Sequence, residues 1–111
     1  METDAATAHY ADQFAALGSE ARLRILRLLL AAHPQGMVVG ELQQELGMAA
    51  STLSHHLDRL KNEGLIVSVR EGTFLRYRAH AEGLRDLLAF LWAECCSRSR
   101  ALDPKDVLAC C

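Results

Sequence analysis

The most reactive side chains in the sequence are four cysteines in two adjacent pairs, Cys95-Cys96 and Cys110-Cys111. Thiolates are soft donors and select thiophilic centres over oxygen-loving cations. Cys95 continues an apolar helical spacing and also reads as a small buried hydrophobe, whereas Cys96, Cys110 and Cys111 lie off that stripe or in a polar segment. The 13 residues 97–109 separate the pairs. Extended, they reach about 40 Å, so distance does not keep the second pair from closing on the first. Asp103-Pro104, a capping residue followed by proline at a first helical position, predicts a short helix over Pro104–Leu108 that folds the second pair back. A helix C-terminus disfavours thiolate there, while Arg98 and Arg100 favour it. Ion capture and thiol oxidation are both open to such a cluster, although a disulfide between adjacent cysteines closes a strained ring. A second polar pair, His55-His56, cannot chelate one ion, because neighbouring helical residues diverge by about 100°. Contact with DNA or packing is the alternative use.

The elements that hold these residues follow from composition and period. A chain of 111 residues has room for one domain and no second catalytic one. Half its residues are hydrophobic, so it folds rather than remaining disordered. Net charge is −2, with no basic excess overall, but Arg59, Lys61, Arg70, Arg76 and Arg78 outnumber Asp58, Glu63 and Glu71 between residues 50 and 80. That segment is locally basic, as a phosphate-facing surface requires. Residues 1–17 lack the order of a secretory signal and no apolar run is long enough to span a membrane, so a cytoplasmic protein with reduced thiols is expected.

Ala5 to Leu17 reads as an amphipathic helix anchored by Phe14 and Leu17 and ended by Gly18. Ser19 caps a second helix, whose apolar spacing runs through Leu23, Ile25, Leu26 and Leu30 until His33-Pro34 stops it. Val38 to Leu46 predicts a short third helix closed by Gly47. In Ala50 to Glu63, Leu53, Leu57 and Leu60 bury one stripe and turn Ser51, Thr52, Ser54, His55, Asp58 and Arg59 elsewhere. The period then becomes two: residues 65–70 and 74–79 alternate around Glu71-Gly72-Thr73, which predicts a β-hairpin with a basic side. From Glu82 the helical period returns through Leu84, Leu87, Leu88, Leu91, Trp92 and Cys95, a stripe too long and apolar for a free surface. The expectation is a mainly α winged helix-turn-helix in the order α-α-α-α-β-β-α, dimeric, with a DNA-binding and dimerisation domain over 1–96 and a cysteine-containing tail over 97–111.

The run Ser51-Thr52-Leu53-Ser54-His55-His56-Leu57-Asp58-Arg59-Leu60-Lys61, continued by Asn62-Glu63-Gly64-Leu65-Ile66, Arg70-Glu71-Gly72 and Tyr77, resembles the ArsR/SmtB metal-responsive repressors. Leu17 to Leu26 is similar to the second helix of that family. The resemblance covers about residues 10 to 92 and implies a recognition helix over Ser51–Lys61, a wing over Val67–Arg78, and a dimer interface made by the first and last helices. Operator contacts are then expected from Ser51, Thr52, Ser54, His55, His56, Arg59 and Lys61, with Arg70, Arg76 and Arg78 on the wing. Dimer contacts are expected from Phe14, Leu17, Leu84, Leu88, Leu91 and Trp92.

Two inducer sites of the family are missing. Residues 37–46 hold no cysteine, and residues 82–96 hold no histidine. What remains resembles the arsenic repressors with a vicinal cysteine pair at the end of the last helix and a third cysteine shortly beyond it. This implies As(III), and Sb(III) beside it, as the inducer held by Cys95, Cys96 and Cys110 or Cys111. Redox, persulfide, cadmium or lead sensing is the alternative on the same scaffold. An enzyme is not expected, since no cysteine is followed six residues on by arginine.

Overall fold

The structure is a computed structural model and describes residues 4–98. Five helices, α1 (Asp4–Leu17), α2 (Glu20–Ala31), α3 (Val39–Leu46), α4 (Ala50–Asn62) and α5 (Ala81–Trp92), surround three strands, β1 (Met37–Val38), β2 (Ile66–Glu71) and β3 (Phe74–Ala79). This is a winged helix-turn-helix. Cys110 and Cys111, and the short helix expected over 104–108, lie outside the described residues.

Local signals set most boundaries. The Ser19 hydroxyl accepts from the Arg22 backbone N–H at 3.3 Å, so α2 is capped without an acid at its third position. At α3 the Glu41 carboxylate accepts the Val38 N–H at 3.1 Å, and Gly47, at φ +65°, closes the helix by donating to Gln43 O at 2.8 Å. Packing does the rest. Leu53, Leu57 and Leu60 of α4 sink into one cluster with Ile25 and Leu29 of α2, Leu42 of α3, Leu65, Ile66 and Leu87 of α5. Each large aliphatic buried there contributes about 1.5–3 kcal/mol.

The sheet order is β1-β3-β2, antiparallel throughout. β1 was not expected: Val38 reads as the start of a helix in sequence, but it pairs with Arg76 while Met37 pairs with Tyr77. A two-residue strand carries no period of its own and exists because β3 offers it an edge. Gly36 makes the approach possible, at φ +74°, where a Cβ would lie 2.1 Å from Tyr77 O.

Of the two anchors expected in α1, Leu17 packs against the core and Phe14 does not. Ala16 and Gln13 are the buried residues, while Phe14 stays 38% exposed. The Gln13 amide donates to Glu63 O at 2.8 Å, which ties α1 to the end of α4 and turns Phe14 outward. α5 meets α1 through stacked Tyr10 and Phe90 rings, with centroids 4.3 Å apart.

Gly36→Ala therefore combines left-handed strain with a backbone clash, and it should cost about 2 kcal/mol or more. Gly47→Ala, at a similar φ but with open space around it, should cost about 1 kcal/mol. Urea unfolding of both variants checks this, and equal losses would refute the close approach at Gly36.

Candidate nucleic-acid interface and thiol site

Burial of the α4 leucine stripe determines what its other faces present. Ser51, Thr52, Ser54, His55, Arg59 and Lys61 are all exposed. No side chain caps α4 at Ala49, so the N–H groups of its first turn also face outward beside Ser51 and Thr52. Hydroxyl, imidazole and backbone donors at a helix start suit base edges and phosphates. Arg59 is loosely paired with Glu63 at 4.0 Å.

The two adjacent histidines separate. His55 is exposed, while His56 is half-buried against α2, where its Nδ1 lies 3.4 Å from the Arg22 guanidinium. Because the guanidinium only donates, Nδ1 is the acceptor. Burial, then the Arg22 and His55 charges, push the His56 pKa below the usual imidazole value. Arg22 also donates to Ala16 O, so one side chain links α1, α2 and α4. No local sequence signal marks this link, whose partners are 34 residues apart.

The wing register sorts its arginines. Val67, Val69 and Glu71 stand opposite Arg78, Arg76 and Phe74 on the outer face, while Ile66, Ser68 and Arg70 stand opposite Ala79, Tyr77 and Leu75 on the inner one. Arg70 thus lies on the opposite face from Arg76 and Arg78, exposed near the turn. Arg76 is engaged: its Nε donates to Glu71 at 2.9 Å and its terminal nitrogen to Gly36 O at 3.4 Å. The stem of Arg78 passes over Gly36. Tyr77 is buried, and burial followed by the Asp58 charge raises its phenol pKa, which places the wing root beside α4.

The thiol pair departs most from its expected geometry. α5 stops at Trp92 instead of running through Cys95, and turns follow in which Cys95 N donates to Trp92 O at 2.9 Å and Ser97 N to Glu94 O at 3.1 Å. Cys96 adopts φ +60°. The divergence expected of a regular helix is removed, and the two sulfurs lie 3.5 Å apart. Both cysteines are free and half-buried. Sharing a proton with Cys96 is the main cause of a raised Cys95 pKa, with desolvation next. Among the described residues, no three His, Cys, Asp or Glu side chains gather closely enough to hold a metal ion.

Residues 17–69 match a helix-turn-helix domain family. An HTH-type regulator of Methanocaldococcus jannaschii is 35% identical over 78 residues, which cover 70% of this chain and 85% of that protein. The chain belongs to the HTH-type transcriptional regulators. The regulator is similar in structure to Rv0081 of Mycobacterium tuberculosis, with 34% identity, TM-score 0.61, and coverage of 73% of this chain and 79% of that one. It also resembles the homodimeric winged helix-turn-helix DNA-binding domain Mb0332 of Mycobacterium bovis, a possible ArsR-family regulator, at 29% identity and TM-score 0.66. That match covers 92% of this chain and 97% of that one. The regulator is accordingly a DNA-binding protein and not an enzyme. No helix among its described residues is long and apolar enough to cross a membrane.

Two outcomes follow for the regulator. Arg70→Ala should reduce the slope of log affinity against log salt by about one unit, whereas Arg76→Ala should change it less because Glu71 already neutralises that charge. Glu71→Gln should tighten binding at low salt, and fluorescence anisotropy on duplex DNA checks all three; identical slopes for Arg70→Ala and Arg76→Ala would refute the pairing. The depressed His56 pKa gives a second outcome. Below the unfolded value of 6.5 the unfolded chain binds the proton first, so stability present at neutral pH should fall as pH drops through the folded pKa. His56→Gln should lessen that fall as the pH drops below about 6.5, as measured by urea midpoints.

Proposed function

We propose that the regulator is an arsenite-responsive repressor, released from operator DNA when As(III) is captured by Cys95, Cys96 and a third thiolate from Cys110 or Cys111. The observation that carries this reading is the approach of two free thiols to 3.5 Å in a non-helical turn directly after α5. Two neighbouring sulfurs can bind one soft centre without first unwinding a helix, and trivalent arsenic takes three in a pyramid. Each As–S bond replaces an As–O bond of arsenous acid, with the thiol proton leaving on water, so three thiols release three waters. Sb(III) reacts by the same exchange. Reduced thiols suit a cytoplasmic location.

A homodimer is the form proposed to bind DNA. Leu88 and Leu91 are 54% and 59% exposed on α5, and Phe14 stands out from α1. Leu84 and Trp92 flank them, half-buried, and Leu17 of α1 is half-buried as well. Such a face is covered in a two-fold pair, which would present two α4 helices to half-sites about 34 Å apart. Ion capture at the end of α5 then acts on the dimer face itself. Linkage requires arsenite to lower DNA affinity by the factor that DNA lowers arsenite affinity, typically about 1–3 kcal/mol.

Mobility-shift titration tests the reading. Cys95→Ser and Cys96→Ser should retain DNA binding and lose release by arsenite. Single changes at Cys110 or Cys111 should be partly rescued by the neighbour, and the double change should not. If a chain truncated after Arg100 were released at the same arsenite concentration as the full chain, the three-thiolate site would be wrong.

A further inference from the structure

Among the described residues Phe74 is the most exposed of the large apolar side chains, at 63%. It is the first residue of β3, directly after the Gly72-Thr73 turn, so its ring stands at the tip of the wing. Only Gly72, at φ +62°, has a backbone requirement in that turn, so the turn places no demand on an aromatic at the next position but one. Val67 and Val69 share its face and are also exposed. This apolar edge belongs to an element otherwise occupied by arginines.

The ring is set apart from the root of α5, the helix that carries the exposed Leu88 and Leu91. β3 runs from Phe74 to Ala79 before α5 begins, so the tip stands about 17 Å along the strand from the root of α5. The wing root does meet α4, against which β2 packs, and Phe74 stands three residues beyond buried Tyr77, about 10 Å farther out. The tip thus projects from the same side of the fold as the root that meets α4, within reach of a duplex held there. The charges there suit it as well. Glu71, opposite Phe74, is tied to Arg76 at 2.9 Å and forms a neutral pair, while exposed Arg70 leaves the tip positive.

We infer that Phe74 is an apolar wedge that enters the minor groove beside the α4 contact, parts a base step and bends the operator. This rests on the DNA-binding reading and is independent of the inducer. Apolar side chains inserted between base steps unstack them and kink the duplex towards the major groove. The deformation is easiest at pyrimidine–purine steps, so Phe74 gives the regulator a preference for TA or CA/TG at a position where it makes no hydrogen bond.

The test uses the full chain and duplexes that it selects itself from a random 40-base-pair pool. Bending is followed by end-to-end energy transfer, and unstacking by permanganate oxidation of thymine. Phe74→Ala should weaken binding about tenfold, within the range for loss of one base–aromatic stack. It should also abolish the bend and the reactive thymine, remove the TA preference, and leave the salt slope unchanged. Phe74→Leu should keep part of the bend. Thermal melting of each variant shows that the fold is intact, since an exposed side chain contributes little to it.

A Phe74→Ala protein that bends and selects DNA like the parent would overturn the wedge. So would a loss of affinity accompanied by a lower salt slope, because Phe74 would then only position the charged wing. Arg70→Ala and Ser54→Ala in parallel separate the two readings: if they weaken binding and Phe74→Ala does not, DNA recognition stands and the wedge falls. Failure of the parent to select any duplex overturns both.

Discussion

β3 has a hydrogen-bonding partner on each edge, and the rest of the molecule is arranged around it. Tyr77 pairs with Met37 on one side and with Ser68 on the other, so the residue that anchors the wing is also the residue that receives β1. A one-residue slip would exchange Tyr77 and Ala79, which are buried, for Arg76 and Arg78. Desolvating two guanidinium groups forbids that register. With the register settled, Gly36 is pressed against Tyr77 O, α3 begins directly after β1, and α4 follows after the Gly47 turn. The orientation of the exposed α4 face thus depends on the register of β3.

The DNA-facing and thiol-bearing ends of the molecule are mechanically joined through α5. Leu87 of α5 is fully buried in the same cluster as Leu53, Leu57 and Leu60 of α4. At its far end α5 gives way to the turn that carries Cys95 and Cys96. In the proposed arsenite-responsive dimer, a change in that turn would act on the exposed Leu88 and Leu91 face, and so on the spacing of the two recognition helices.

Much of this was legible in sequence. Leu53, Leu57 and Leu60 at helical spacing predict which face of α4 is buried, and the change to period two after Gly64 predicts the wing. The glycines at 47, 64 and 72 mark turns that the structure places at positive φ. Less was legible where partners are far apart in the chain. The Gln13 link to Glu63 O and the Arg22 link to His56 carry no local signal, and they decide that Phe14 faces outward and that His56 packs inside while His55 stays free.

Sequence by itself determined the order of elements, the buried stripe of α4 and the clustering of cysteines beyond Trp92, because period, turn chemistry and composition act over a few residues. Only the tertiary structure decided the existence of β1, the neutralisation of Arg76 by Glu71, and the division of the α5 stripe into buried Leu87 and exposed Leu88 and Leu91. It also decided that Cys95 and Cys96 converge. Helical spacing carried past Trp92 separates them, but i to i+3 hydrogen bonds and the left-handed backbone of Cys96 bring the sulfurs to 3.5 Å. A helix ends where its next turn finds no surface to pack against, and that surface is a property of the whole fold.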